Sequence, residues 1–327
     1  MHERAPLARA PAALLALLSS ALYTLAFPPW GLGWLGLIAL APLLIAIAGG
    51  SGRRGALLGL LWGTGAIWGI GYWVPVALST YWGQPPWFGV LSGLLGSIVF
   101  MGSYGAGFGA CAALIWRRFD RLPRLFLLSA TWVAWEVARG RLLTGDPWLL
   151  LGYAVGRYPA MVQIADLGAV YLVSFVLALA NFSLASLLRS HLSPSPSSSM
   201  SWLRGTSETR GIAVAAALLA LTLVYGAYRL APSYPEQPTV RVRVVQGNND
   251  PGSQWREELY GAGLDRYLEL SRSQLPPRRP EILIWPESAV TFFLAREPEL
   301  RRAIGTMLSS LHAELLTGAP PAQARWQ

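Results

Sequence analysis

Apolar segments long enough to cross a lipid bilayer recur through the first two thirds of the 327-residue chain. A transmembrane helix needs about 20 predominantly apolar residues. The chain is 53% hydrophobic and only 13% charged, whereas an average soluble domain carries about 25% charged residues. We therefore predict a multispan α-helical membrane domain over residues 1–231, with about seven transmembrane helices near 11–28, 32–49, 56–80, 88–116, 124–139, 161–188 and 212–230.

The loops between these segments alternate in charge. Arginines gather before the first span and after the second, fourth and sixth spans, whereas the loops near 29–31 and 81–87 carry no charge. Basic loops of membrane proteins stay in the cytoplasm, so we predict a cytoplasmic N-terminus and an external location for everything after the seventh span. One loop disagrees, because 140–160 should be external yet contains Arg141 and Arg157.

A cleaved secretory signal peptide is the alternative interpretation of residues 1–28, because a basic segment there leads into an apolar one. Six further apolar segments follow, which favours a first span that is retained. The predicted membrane domain therefore begins with a helix that stays part of the protein.

The composition excludes several kinds of chemistry. All 26 basic residues are arginine, so no reaction that needs a lysine amine can take place on this chain. Its single cysteine, Cys111, rules out an internal disulfide. The histidines His2, His191 and His312 lie far apart without metal-binding spacing, so we predict no metal and no cofactor. The arginines lie in short loops between apolar runs, which is typical of an oriented membrane protein and argues against a nucleic-acid partner.

The pattern of residues changes at about residue 238. TVRVRVVQ alternates apolar and polar side chains, which is the period of a β-strand. We predict strands over 239–246, 281–285 and from 315, with amphipathic helices over 253–275 and 296–313 between them. Alternating strands and helices predict an α/β layer fold, so residues 238–327 are expected to form part of an external α/β domain.

Five motifs, in this order, carry a family resemblance. They are LAFPPWGLGWLGLIALAPLL (25–44), WVAWEVARGRLLTGDPWLLLGYA (132–154), QIADLGAVYLVSF (163–175), VRVVQGNNDPGSQW (242–255) and ILIWPESAV (282–290). The last two resemble the start of a nitrilase (carbon–nitrogen hydrolase) domain, which is an αββα sandwich. Joined to a multispan region, the whole set resembles the apolipoprotein N-acyltransferases of the bacterial inner membrane.

The resemblance implies a particular reaction. Such an enzyme moves an acyl chain from a phospholipid donor onto a cysteine thiol, which gives a thioester. It then passes the acyl group to the N-terminal amine of a diacylglyceryl-cysteine apolipoprotein acceptor. The family's triad consists of a glutamate general base, a lysine that stabilises the oxyanion and the cysteine nucleophile. A carboxylate at a strand end can take the thiol proton during attack and return it to the leaving group.

Two residues of the α/β part match family positions. Glu287, in WPES, matches the catalytic glutamate, with a helix-capping carboxylate as the structural alternative. Trp255 matches a tryptophan that the family places near the active site, and an aromatic cap on the neighbouring helix is the alternative. Glu287 is therefore the predicted general base, and Trp255 a candidate substrate contact.

The rest of the triad has no counterpart in the chain. There is no lysine, and Cys111 falls within the fourth predicted span, where it is expected to be a packing residue. We therefore expect a C-terminally truncated family member that is inactive alone. Two alternatives remain open: a split acyltransferase completed by a second polypeptide, and a non-catalytic membrane protein that binds lipid or lipoprotein.

Charged residues also occur inside the fifth predicted span. Glu136 and Arg139, at i and i+3, can meet on one helix face. Ionisable residues at membrane depth are candidates for function, and the family resemblance makes a lipid-headgroup contact one interpretation. The alternative is a structural pair that holds the loop 140–160 in place. Asp146, at a position that is more usually apolar in the family, is expected to be interfacial.

Overall fold

The computed structural model describes residues 6–142, 145–192, 201–231, 239–249, 257–273 and 280–320. The chain divides into two compact units, Met1–Pro232 and Ser233–Gln327, each with its own hydrophobic core. We refer to them as the membrane unit and the α/β unit.

The membrane unit is a helical bundle. Among the described residues, four helices are long and apolar enough to cross a membrane: Arg9–Ala26, Pro86–Arg118, Ala165–Ser190 and Thr209–Leu230. A bent pair, Gly52–Ile70 and Trp73–Trp82, adds a fifth span if it is counted as one crossing. These helices are consistent with a multi-pass membrane protein. Helices α1 to α4 are Arg9–Ala26, Ala41–Ile47, Gly52–Ile70 and Trp73–Trp82.

Two breaks interrupt the region between Arg54 and Arg117, which contains no charged residue. Helices α3 and α4 meet at an angle of 51°. The next long helix consists of α5 (Pro86–Ser97) and α6 (Ser103–Arg118), joined by a π-helical turn at Ile98–Gly102. Such turns widen a helix locally and are frequent at functional sites.

The segment predicted as a span over 32–49 is not one helix. It folds as a 3₁₀ turn, Gly33–Leu37, followed by the seven-residue helix α2, which is almost wholly buried. Asn181 of a neighbouring helix accepts hydrogen bonds from the amides of Leu40 and Ala41 (2.7 and 3.2 Å) and donates one to the carbonyl of Gly36 (2.7 Å). Irregular backbone is tolerated at membrane depth only where protein groups satisfy it, and Asn181 does so here.

The second half of the unit contains three longer helices. Helix α7 is Arg121–Arg141, a 3₁₀ turn spans Leu151–Val155, and α8 is Pro159–Val162. Helix α9, Ala165–Leu192, is kinked at Gly168 and Ala169, and α10 is Ser201–Leu230. The span predicted over 124–139 lies on α7, which is not among the helices apolar enough to cross a membrane. The predicted total of about seven spans stays a prediction.

Helices α3 and α6 approach each other so closely that glycine is needed at the contact. A Cβ atom on Gly55 would overlap the carbonyl oxygen of Gly109, and one on Gly59 would overlap that of Gly105. Gly63 faces the carbonyl of Met101 in the π-helical turn in the same way. Small residues allow such close packing between membrane helices, and this contact fixes α3 against α6. We call it the glycine seam.

The α/β unit contains a three-stranded parallel sheet in the order β1-β2-β3, formed by Val242–Val244, Ile282–Ile284 and Glu314–Leu316. Helices α11 (Tyr260–Arg272) and α12 (Pro298–Leu311) connect the strands. The sequence therefore predicted the order and type of these elements correctly, although the strands are shorter than expected. A nitrilase-like domain is a more specific assignment, and this small sheet does not establish it.

One face of the sheet is covered and the other is open. Leu283 is fully buried, and its side of the sheet packs against Leu264 of α11 and Met307 of α12. On the opposite face, Val244 is 73% exposed and Leu316 is 63% exposed. Alternate residues of a strand point to opposite faces, so the exposed apolar side chains form one uncovered surface.

Candidate functional site

Glu136 is a buried acid on α7 of the membrane unit. Its Oε1 atom accepts hydrogen bonds from the indole of Trp132, one turn earlier (3.0 Å), and from the amide of Leu151 (2.7 Å). The Ser174 hydroxyl lies beside the carboxylate and accepts a hydrogen bond from the amide of Gly152 (2.9 Å). Glu136 thus connects α7 to the start of the 3₁₀ turn at Leu151–Val155.

Arg139 forms the ion pair of this region. Its Nη1 atom lies 3.3 Å from Oδ2 of Asp146, and its Nη2 donates to the carbonyl of Leu149 at 3.3 Å. Only 4% of the Arg139 side chain and 20% of the Asp146 side chain are exposed. Buried charges are costly unless they are paired and hydrogen-bonded, and both conditions are met here.

The carbonyl of Leu149 is a junction between helices. It accepts hydrogen bonds from the Tyr23 hydroxyl of α1 (2.6 Å) and from Arg139 of α7. Leu149 has a positive φ of 56°, which is uncommon for a residue other than glycine. The left-handed conformation is held in place by these two donors, so the loop that contains Asp146 and Leu149 has a defined shape.

The structure differs from the predicted pairing of Glu136 with Arg139. Both side chains lie on one face of α7 and line the same small cavity, as the i, i+3 spacing predicts. Within the described part of the chain, however, the arginine pairs with Asp146 and the glutamate accepts from Trp132 and Leu151. Asp146 is therefore a structural partner that sequence spacing alone does not reveal.

A large apolar cavity lies beside this loop. Its volume is about 510 Å³, within the range of small-molecule sites. The walls come from the end of α3, from α4, from α5 and from residues 145–149. Most of the lining is apolar, and Asp146 contributes a charge at one side; the principal side chains are Ile67, Ile70, Trp73, Val74, Phe100 and Trp148. We call it the acyl-sized cavity.

In the α/β unit, Glu287 lies in a turn directly after β2 and is exposed to solvent. The amide of Trp285 donates to the carbonyl of Leu316 in β3 (3.0 Å), and the amide of Ala289 donates to that of Pro286 (3.1 Å). After β3, a Cβ atom on Gly318 would overlap the backbone of Glu287. The chain leaving β3 therefore packs against the turn that carries Glu287.

The residue before this turn is anchored by α11. The buried indole of Trp285 donates to the Ser271 hydroxyl at 2.9 Å, and its ring lies 5.3 Å from that of Tyr267. Burial raises the pKa of Tyr267, and a hydrogen bond from the backbone of Gly247 partly opposes the shift. Glu287 is thus exposed at the end of a segment whose position is fixed by Trp285.

Three further expectations concern Trp255, Cys111 and metal binding. Trp255 lies outside the described residues. Cys111 is a half-buried free thiol on α6. Within the described ranges, there is no group of three or more His, Cys, Asp or Glu side chains that could hold a metal ion.

Comparison with known proteins identifies relatives of the whole chain. The family model for the apolipoprotein N-acyltransferase N-terminal domain matches residues 19–183, about half of the chain. A protein of Geobacter metallireducens named apolipoprotein N-acyltransferase is 33% identical over 309 residues. Proteins of the same name from Pseudomonas putida and Pseudomonas aeruginosa are each 30% identical, over 320 and 318 residues.

These matches cover nearly all of the chain but only part of each relative. They extend over 94–95% of this chain and over 57–58% of the length of the three relatives. The family assignment thus rests on both the membrane unit and the α/β unit. The chain belongs to the apolipoprotein N-acyltransferase family.

Proposed function

We propose that the chain supplies the membrane part and the first portion of the catalytic part of an N-acyltransferase that acts on lipoproteins. A phospholipid is the acyl donor and a diacylated apolipoprotein is the acceptor. The observation that carries the proposal is the position of Glu287, an exposed carboxylate at the carboxyl end of a strand in a parallel sheet. Ligands of open α/β sheets bind at that edge.

The acyl-sized cavity supports the lipid part of the proposal. It is apolar, lies in the unit whose helices are suited to a membrane, and carries the charge of Asp146 at one side. An acyl chain would occupy the apolar volume. Asp146, held in place by Arg139, would face the polar end of the lipid.

In the proposed mechanism, Glu287 acts as the general base. It takes the proton of a cysteine thiol as the sulfur attacks the ester carbonyl of the phospholipid, and returns it to the departing lysophospholipid oxygen. The amine of the apolipoprotein then attacks the thioester. The chain has no lysine, and its one cysteine lies in α6, so the lysine and the nucleophile would come from sequence outside these 327 residues.

The uncovered face of the sheet supports a nitrilase-like assignment of the α/β unit. An αββα sandwich places two sheets face to face, with helices on the outer sides. Here helices cover one face, and the apolar side chains of Val244 and Leu316 on the other are exposed. A second sheet would bury that surface.

We further propose that the protein lies in the bacterial inner membrane with its N-terminus in the cytoplasm and the α/β unit outside. The support is the distribution of arginines in the loops, since basic loops stay in the cytoplasm. In this orientation Glu287 would lie outside the membrane.

A complementation experiment tests the catalytic proposal. The chain is expressed alone, and also joined in frame to the remaining C-terminal part of the Geobacter metallireducens relative, in a strain depleted of its own N-acyltransferase. We expect N-acylated lipoprotein only from the joined protein. Glu287→Gln in the joined protein should lower the rate by about 10²–10⁴-fold, and restoration by the chain alone would contradict the proposed division of the triad.

The same joined protein tests the role of the acyl-sized cavity. Gly96 of α5 lines the cavity and has space for a side chain, so Gly96→Leu should raise the KM for phospholipid with little effect on kcat. Leu95→Phe adds bulk at the neighbouring exposed position as a matched control. Equal effects of the two substitutions on the KM would exclude the cavity as the donor site.

A non-catalytic lipid- or lipoprotein-binding protein is the second candidate. The absence of lysine from the sequence favours it, because the family's oxyanion-stabilising residue cannot come from this chain. In that case the joined protein would give no N-acylated lipoprotein, although phospholipid would still bind to the membrane unit.

A further inference from the structure

A second, much smaller cavity lies where α3, α6 and α7 meet. Its volume is about 30 Å³. The lining side chains belong to three helices and to the π-helical turn; those used below are Trp62, Met101, Trp132, Glu136 and Arg139. Of these, Trp62, Met101 and Glu136 are 1%, 3% and 4% exposed.

Two buried polar atoms on opposite helices have no hydrogen-bond partner among the described residues. One is the indole Nε1 of Trp62 on α3, and the other is Oε2 of Glu136 on α7. Both residues line the small cavity. The other carboxylate oxygen of Glu136 accepts from Trp132 and Leu151, and the Ser174 hydroxyl also lies beside the carboxylate. A buried polar group that lacks a partner is costly, so two such groups lining one cavity indicate that a small polar molecule binds between them.

The chemistry of the two atoms defines the ligand. The indole N–H can only donate a hydrogen bond, whereas the Glu136 carboxyl group accepts one when it is ionised and can donate one when it is protonated. An ammonium group could pair with Glu136 but has nothing to offer the indole. An anion could accept from the indole but would lie beside the Glu136 carboxyl group, and the Arg139 guanidinium in the same lining is already paired with Asp146. A single group that satisfies the indole and either form of the carboxyl group must be able to donate and accept, as a water molecule does.

The size of the cavity agrees with this chemistry. A buried water needs roughly 10–15 Å³ of such volume, so about 30 Å³ has room for one or two waters. A lipid headgroup or a peptide amine with its substituents would not fit.

We propose that this cavity is an internal water site in which a bound water accepts a hydrogen bond from Trp62 and donates one to Glu136. The water links α3 to α7. Because Glu136 also holds the amide of Leu151, the link extends to the 3₁₀ turn that follows residues 145–149, which form one wall of the acyl-sized cavity. Trp62 is thus a positioning residue for that turn, through the water and Glu136.

Radiolytic hydroxyl labelling of the full chain in lipid nanodiscs tests the proposal. X-ray radiolysis converts a buried water to a radical in place, so side chains beside it are oxidised faster than their exposure predicts. We expect Met101 to be oxidised several-fold faster than Met161. Met161 is a matched control of the same residue type, with 8% exposure against 3% for Met101, and it does not line the cavity. Oxidation of Met101 no faster than that of Met161 would overturn the proposal.

A double-mutant cycle provides the second test. If one water bridges the two side chains, the effects of Trp62→Phe and Glu136→Gln on the thermal midpoint should be non-additive, since either change disturbs the same bridge. Trp62→Phe combined with Ser183→Ala should be additive, because Ser183 is equally buried but lies outside the cavity. Additivity of the first pair would also contradict the proposed bridge.

Discussion

Arg139 and Asp146 form the most buried of the ion pairs between described residues, and their value to stability depends on both being present. Removing one partner of a buried pair leaves an uncompensated charge, which costs about 3–5 kcal/mol. We expect Arg139→Met to lower the free energy of unfolding by roughly that amount. The double variant Arg139→Met, Asp146→Leu should be more stable than the sum of its single changes, as measured by denaturant unfolding in detergent.

The chain contains a matched control for this cycle. Arg229 and Asp166 form an ion pair at 3.1 Å in the same unit, with side chains 40% and 37% exposed. Exposed pairs contribute about 0–1 kcal/mol, so the coupling energy of this second pair should be clearly smaller. Equal coupling energies for the two pairs would show that burial is not what makes Arg139 depend on Asp146.

Tyr267 is expected to make the α/β unit sensitive to alkaline pH. Burial raises its pKa in the folded state, so the folded protein holds the proton more tightly than the unfolded chain, in which a tyrosine has a pKa of about 10. The stabilisation is fully present below pH of about 10 and is lost as the pH rises towards the folded pKa. Phenylalanine has no ionisable hydroxyl, so Tyr267→Phe should prevent this loss of stability at alkaline pH.

Hydrogen exchange measured by mass spectrometry can follow this effect in the full chain. Wild type and Tyr267→Phe are compared at each pH, so that the intrinsic pH dependence of exchange cancels. We expect peptides from α11 and β2 to lose protection above pH of about 10 in the wild type but less in the variant. The same loss of protection in both proteins would contradict the assignment to Tyr267.

The ion-pair and hydrogen-bond partners of the site residues were what the sequence could predict least. The motif around Glu136 and Arg139 indicated a polar site in an apolar region, and the structure places both residues on one face of α7. The pairing of Arg139 with Asp146 depends on the positive φ of Leu149, which turns the loop back onto α7. A leucine in the sequence does not by itself indicate a left-handed backbone conformation.

At the scale of elements, Asn181 is the residue on which the broken segment over 32–49 depends. Its side chain bonds the amides of Leu40 and Ala41 and the carbonyl of Gly36. Asn181→Leu would leave these buried groups unsatisfied, at a cost of about 1–3 kcal/mol each. We expect a large drop in the thermal midpoint of the purified protein, with increased hydrogen exchange confined first to peptides that cover 33–47.

Ser183 is the matched control on the same helix. It is 1% exposed, and its hydroxyl has no hydrogen-bond partner in the described part of the chain. Ser183→Ala should therefore leave the thermal midpoint unchanged or raise it. If Asn181→Leu is as mild as Ser183→Ala, the three hydrogen bonds are not what holds the segment.

This segment also shows why hydropathy predicted a helix that the structure does not have. Residues 32–49 are as apolar as a membrane span, because most of the segment after Trp34 is buried in protein. A continuous helix would satisfy its own backbone. Here a side chain 140 or more positions away replaces part of that bonding, which no window of local sequence can detect. The α/β elements were predicted more reliably because alternation and helical spacing are local patterns.

For the molecule as a whole, the proposed orientation gives a direct prediction. In a Cys111→Ser background, a single cysteine is placed at Arg118, at the end of α6, or at Arg302 on α12; both positions are exposed. A membrane-impermeant maleimide added to intact spheroplasts should label Arg302→Cys but not Arg118→Cys. Both should react after lysis, which controls for accessibility, and the reverse pattern in intact cells would contradict the orientation.

The glycine seam between α3 and α6 determines how the membrane unit can deform. The backbones of α3 and α6 are in direct contact, with no side chains between them, so the helices have little freedom to slide or tilt. We expect this pair to move as one rigid body. Movement is left to the 51° bend between α3 and α4 and to the α5 side of the π-helical turn, beyond the contact of Gly63 with Met101. Both breaks border the acyl-sized cavity through Ile70, Trp73 and Phe100. A lipid that enters the cavity would therefore displace α4 and α5 and leave the pair of α3 and α6 in place.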